Sequence, residues 1–229
     1  MCWQETKPIQ PKPVQTGSAS VQEDVPSKFQ QLKGRTLYNV QTLGKELFLY
    51  FGDICLRVHF LMNGSIRISD QTHFEHKASD KASKALSLEI QFSEGVLQIY
   101  ESSVDVRSSA VCRQKHAELQ SLDVCSSVFS HKRAVELVKA QQGRQLCDVL
   151  LDQNILPGSG NIIKNEALFD SWMNPSAKVE EVEDAHISYL IKMLREFTMV
   201  FYKCRKTGRP LKPQLRIYNC KSCGHCGGQ

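Results

Sequence analysis

The chain has 229 residues, enough for one large domain or two small ones, and 41% of them are hydrophobic, as in ordinary globular proteins. No apolar run approaches the roughly 18 residues of a membrane span, and the N-terminus has no apolar leader core, so an intracellular protein without a spanning helix is expected. A net charge of +5 points to no partner by itself, and the nine cysteines, odd in number and scattered, read as reduced thiols except for a terminal cluster that suggests metal.

Residues 1–34 carry Pro8, Pro11, Pro13 and Pro26 among Gln, Ser and Lys, with no helix or strand period, and are expected to be disordered. From Leu43 the pattern changes. Leu47-Phe48-Leu49-Tyr50-Phe51, Cys55 to Phe60, Ser65 to Ile68, Leu86 to Phe92 and Val96 to Tyr100 are short apolar or alternating runs. Gly52-Asp53, Gly64 and Gly95 punctuate them. Such runs are strand and hairpin signals, and they predict an antiparallel β-domain, a sandwich, over residues 35–128.

The second half reads as helical, over residues 129–210. Ser130 is placed to cap a helix over 131–141. Leu146, Val149 and Leu150 give helical spacing from Gln145 to Gln153, and Asn161 to Phe169 follows a Pro-Gly-Ser-Gly turn. Ile187, Leu190, Ile191, Leu194, Phe197 and Phe201 form an amphipathic stripe that opens near Asp184 and closes before Gly208-Arg209-Pro210. After Glu196 no acidic residue occurs, while Lys203, Arg205, Lys206, Arg209, Lys212, Arg216 and Lys221 follow. A one-sign stretch suits a polyanion, nucleic acid being the usual one, and equally suits a solvated basic tail.

Two motifs carry chemistry. In the first, a helix ends, a turn with Gly158 and Gly160 follows, and Asn161 opens the next helix. Glycines let an anion approach the backbone, the helix start offers unpaired amides, and Asn161 adds a donor, so the segment can clamp a phosphate. The same residues also describe a glycine-linked helical hairpin with Asn161 as its N-cap. In the second, Cys223 and Cys226 have zinc-knuckle spacing, with Cys220 and His225 close by. His225 and Cys226 are adjacent, which hinders a relaxed tetrahedron, so half a zinc site is expected.

The stretch Leu150 to Phe169 resembles the helix–two-turns–helix signature of the formamidopyrimidine-DNA glycosylase/endonuclease VIII family. Thr42-Leu43-Gly44-Lys45-Glu46-Leu47-Phe48, Arg57 to Gly64, Leu122 to Ser126, Phe201 to Lys206 and the Cys223/Cys226 pair are similar to family members too. The resemblance runs from about residue 36 to 226. It implies an α+β fold: an antiparallel β-sandwich, a helix–two-turns–helix DNA-binding domain, and a zinc-finger segment, truncated here, over residues 211–229.

The implied function is base-excision DNA repair in the nucleus, by a monomeric DNA glycosylase with abasic-site lyase activity on oxidised bases. Lys45 matches the family's lysine near the lesion sugar. Asn161, Gly158 and Gly160 match its phosphate clamp, and Met62 matches a side chain inserted into the gap left by a flipped nucleotide. Lys203 and Arg205 are further candidates for DNA contact. The local sequence Glu101 to Arg107 lacks the family's two other wedges, which implies a single-stranded or unpaired substrate. The resemblance also implies zinc, in a site expected to be incomplete with Cys220, Cys223 and Cys226 alone. In family members the attacking amine is that of residue two, beside an acidic residue. This chain begins Met1-Cys2-Trp3-Gln4-Glu5, so Cys2 and Glu5 are poor matches. A catalytically impaired DNA-binding fragment is therefore the alternative reading.

Overall fold

The computed structural model describes residues 27–70, 84–223 and 225–228. The chain divides into two compact units, one ending at Lys115 and one beginning at His116.

The first unit holds a short helix α1 (Ser27–Gln30), five strands, and most of helix α2. The strands are β1 (Asn39–Leu43), β2 (Glu46–Phe51), β3 (Ile54–Asp70), β4 (Leu86–Phe92) and β5 (Gly95–Ser108). They form one sheet in the order β1-β2-β3-β5-β4, with every pairing antiparallel. Two-residue turns at Gly44-Lys45 and Gly52-Asp53 join the first three strands, with Gly44 at φ +57° and Gly52 at φ +80°. Glycine enters the left-handed region without the steric cost of a Cβ, and primed turns match the strand twist.

All of β2 is buried, which explains its unbroken apolar run. Leu47, Leu49 and Phe51 face a cluster with Leu56, Val58, Leu88, Leu97 and Ile99. β3 and β5 run on past Gly64 instead of breaking there, and their register shifts between Phe60 and Ser65. β2 and β4 are not hydrogen-bonded neighbours, yet Phe51 and Phe92 stack with ring centroids 6.4 Å apart. One continuous sheet therefore bends over onto itself at the bulge, and this layering replaces two separately formed sheets.

Helix α2 (Ser109–Leu119) was not legible in the sequence. It follows β5 directly, buries Ser109 and Cys112, and places Arg113 over the Tyr50 ring at 4.5 Å.

The second unit contains α3 (His131–Lys139), α4 (Leu146–Val149), α5 (Asn161–Asp170) and α6 (Asp184–Thr207) around one apolar cluster. Ser130 caps α3 as expected, accepting from Arg133 N at 3.3 Å. α6 buries Ile187, Leu190, Ile191, Leu194 and Phe197, and ends on Gly208 at φ +67°. The helix expected over 145–153 is only Leu146–Val149. Asp152 diverts the chain: its carboxylate accepts from Asn154 N at 3.0 Å, and its carbonyl accepts from Ile155 and Leu156. No described helix is long and apolar enough to cross a membrane.

Candidate lysine site and nucleic-acid interface

Lys45 sits at the β1–β2 turn, and its carbonyl accepts from Phe60 N at 3.1 Å. Its side chain is half-buried, and burial pushes the ammonium below the ordinary lysine range. Among the described residues no acceptor pairs with its Nζ.

The neighbouring carboxylate is already engaged. Glu46, 9% exposed, accepts from Arg57 Nε at 2.8 Å and Lys115 Nζ at 2.7 Å, with His59 Nδ1 at 3.8 Å. Burial alone would raise the Glu46 carboxyl, but the hydrogen bonds and charges of Lys115 and Arg57 outweigh it and hold the group below the usual range. Arg57 also reaches Asp105 at 3.2 Å. The arrangement spends one carboxylate on two strong cations and leaves Lys45 as the half-buried amine without a counter-ion. Desolvation of that kind makes a lysine nucleophilic.

Met62 lies in the β3 bulge. Phe60 pairs with Ser102 and Ser65 with Tyr100, so Leu61 to Gly64 stand opposite Glu101 alone. The excess chain protrudes, and Met62 is 98% exposed at its tip. A core role is thereby excluded. Gly64 closes the protrusion: a Cβ there would meet Ser102 Oγ at 2.8 Å, Phe60 Cα at 3.0 Å and Leu61 N at 3.1 Å. Lys84 braces the other side, donating to Asn63 O at 2.8 Å.

In the helical unit, the turns between α4 and α5 are held by Gln153. Its amide donates to Leu151 O and Ser159 O, each at 2.8 Å, and its carbonyl accepts from Gly158 N at 3.0 Å. Gly158 needs its lack of Cβ, with φ +92°. The N-cap of α5 is Gly160, not Asn161, so the ordinary-cap reading of Asn161 is corrected: Asn161 is the first helical residue and is exposed. Gly160 has no side chain to bond the helix start. The amides of Asn161, Ile162 and Ile163 have no acceptor among the described residues. The unpaired amides lie at the positive dipole end of the helix.

Lys203 and Arg205 are exposed on the last turns of α6, and Arg205 lies over the Phe201 ring at 5.3 Å. Beyond α6, the carboxylate of Glu166, fully buried, fixes the tail. It accepts from Arg216 N at 2.8 Å, Ile217 N at 3.2 Å and Tyr218 N at 2.8 Å. Sequence reading gave no sign of this clasp or of the Glu46 network, because both join residues far apart in the chain.

The terminal cysteines form a tight turn. Cys223 N donates to Gly228 O at 2.7 Å, Gly227 N donates to Cys223 O at 2.9 Å, and Cys223 Sγ accepts from His225 N at 3.4 Å. Hydrogen bonds from the Cys226 and His225 amides hold the Cys223 thiol below the usual range. Cys220 Sγ is instead directed at the carbonyls of Leu215 and Tyr218. Among the described residues no three His, Cys, Asp or Glu side chains gather as a metal-binding set. The residues described here thus do not fit a closed tetrahedral zinc site. Seven of the described cysteines are free thiols. Cys2 and Glu5 lie outside the described residues.

Residues 6–112 match the family model of the formamidopyrimidine-DNA glycosylase N-terminal domain. With the relatives below, the chain is similar to members of the formamidopyrimidine-DNA glycosylase/endonuclease VIII family. Among these relatives, Endonuclease 8-like 3 of Xenopus laevis is 47% identical over 212 residues, 93% of this chain and 34% of that protein. Endonuclease 8-like 3 of Homo sapiens is 47% identical over 193 residues, 84% of this chain and 31% of that protein. The chain spans about a third of the length of these curated relatives. The crystal structure of a viral DNA glycosylase has the same fold, with TM-score 0.69 and 22% identity over 83% of this chain and 77% of that one. So does the Lactococcus lactis formamido-pyrimidine DNA glycosylase bound to DNA containing an AP site, with TM-score 0.66 and 21% identity over 87% and 78%.

Proposed function

We propose that this chain belongs to a base-excision repair enzyme, a DNA glycosylase with abasic-site lyase activity on oxidised bases, acting by preference on single-stranded DNA in the nucleus. The observation that carries the reading is Lys45: a half-buried amine without a counter-ion, beside a carboxylate already held by Arg57 and Lys115, in a chain 47% identical to Endonuclease 8-like 3.

The chemistry follows from that amine. Neutral Nζ adds to C1′ of an opened abasic sugar, and loss of water leaves a Schiff base. A base then removes a C2′ proton, the electron pair moves into the C2′–C3′ bond, and the 3′ phosphate departs. The network on Glu46 keeps its charge away from Lys45, so the amine is not locked as an ammonium in an ion pair.

The remaining candidates fit the handling of the strand. The open amides after Gly160, with Asn161, suit a DNA phosphate, and Lys203 and Arg205 suit the backbone. Met62 on its braced bulge suits insertion beside an extruded nucleotide. Cys220, Cys223 and Cys226 remain candidates for part of a zinc-finger site, and no step of the reaction is assigned to metal.

Borohydride trapping on a single strand with one abasic site is the test. A covalent adduct lost in Lys45→Ala supports the reading. Tight DNA binding with no adduct at any pH would replace it with the alternative, a damaged-DNA-binding module.

A further inference from the structure

Helix α5 ends in an unusual way. Trp172 N donates to Phe169 O at 3.1 Å and Met173 N donates to Leu168 O at 3.0 Å. This is the Schellman pattern, whose left-handed position is ordinarily glycine. Trp172 occupies it at φ +57°, a conformation that bulky L-residues rarely adopt. The same chain places Gly208 at φ +67° where α6 ends. Strained residues of this kind cluster at functional sites.

Burial does not repay the strain, because Trp172 is 75% exposed. Its indole stacks on Phe169, with centroids 6.3 Å apart and planes 23° apart, and meets His225 edge-on at 4.9 Å. These rings, with Leu215 and Arg216, line an open cavity of about 480 Å³. Glu166 fixes the backbone of Arg216, while its guanidinium, paired with Asp170 at 2.8 Å, stays 65% exposed. Lys212 and Lys221, on the same acid-free tail, are exposed.

We propose that Trp172 and Phe169, with Arg216 at the rim, form a stacking site for an unpaired nucleobase of single-stranded DNA. The site is distinct from the phosphate-holding start of α5, and it rests on the reading that the chain binds DNA. Every base has a π face, so an exposed indole beside cations holds a strand without reading its sequence. Arg216 and the lysines attract the phosphates on either side of the stacked base.

The experiment uses the full chain with Trp3→Phe, so that Trp172 is the sole tryptophan. Oligothymidylate and an equally long oligomer of stable abasic residues are titrated separately, following tryptophan emission and anisotropy of labelled DNA. Oligothymidylate should quench Trp172, and the abasic oligomer, which has no base to stack, should not. Trp172→Gly should weaken oligothymidylate binding roughly five- to a hundredfold and leave abasic binding nearly unchanged. Trp172→Phe should retain most of the affinity. Glycine relieves the left-handed strain, so Trp172→Gly should keep or raise the melting temperature, which separates lost stacking from lost folding. Unquenched emission with equal affinity in Trp172→Gly, in a chain that still binds both oligomers, overturns the stacking site and leaves the DNA reading standing. Binding to neither oligomer overturns the DNA reading and the stacking site with it.

Discussion

At the scale of single residues, the site turns on a contrast between two neighbours. Lys45 is desolvated and unpaired, and Glu46 is desolvated and paired. Replacing Lys45 by alanine should abolish strand nicking at abasic sites while DNA affinity stays within about twofold, as gel mobility and nicking assays on the same samples would show; undiminished nicking would contradict the assignment. Because burial lowers the folded-state value, the trapping rate should rise with pH and level off before the 10.5 of an ordinary lysine. A rate still climbing at 10.5 would show that Lys45 is not the attacking amine.

Glu46 carries the opposite sign. Its carboxyl is held low, so the stability it lends is fully present above about 4.5 and is lost as pH falls through its lower folded value. Glu46→Gln should therefore cost about 1–3 kcal/mol at neutral pH, less than a fully buried pair because Lys115 is 39% exposed. The difference from the parent should shrink in acid, measured by urea unfolding at several pH values.

At the scale of elements, two glycine-dependent turns present the candidate binding groups. Gly64→Ala forces a Cβ against Phe60 Cα and Leu61 N, which are backbone atoms and cannot swing aside. A loss of about 1–3 kcal/mol is expected by overpacking. Met62→Ala at the tip of the same bulge removes an exposed side chain and should leave the melting temperature nearly unchanged. An equal loss of stability in both variants would mean that the bulge is a packing element and Met62 part of it. The signature Leu150 to Phe169 was legible as helix, turn and helix because Gly158, Gly160 and Pro157 are local signals. The shortness of α4 was not, since it depends on Asp152 turning back to Asn154. The identity of the cap was also misread: polar residues are favoured at helix starts, but here Gly160 takes the extended position and Asn161 the first helical one.

For the whole molecule, charge and neutral donors should separate in their salt response. Asn161→Ala removes a neutral donor to a charged group, so affinity should fall roughly ten- to a hundredfold for every DNA sequence alike with the salt slope unchanged. Loss of charge at Lys203 or Arg205, if either touches a phosphate, should instead lower that slope by about 0.7–0.9 per contact. Titrations at several salt concentrations distinguish the two, and an Asn161→Ala protein that remains folded and binds like the parent would reduce the clamp to a structural hairpin.

The sequence alone determined what local physics controls. Alternation and glycine spacing marked the strands, Ser130 and Gly208 marked helix ends, and the signature around Gly158 with Lys45-Glu46 marked the family resemblance. Tertiary structure decided what depends on distant partners. The sheet's bend at Phe60/Ser65, the capture of Glu46 by Lys115, 69 residues away, and the clasp of Glu166 on Arg216 to Tyr218 leave no periodic trace. Hydrophobic and turn patterns are set by neighbours within a few residues. The desolvation of Lys45 and the engagement of Glu46 exist only once the chain has folded and water has been replaced by these particular side chains.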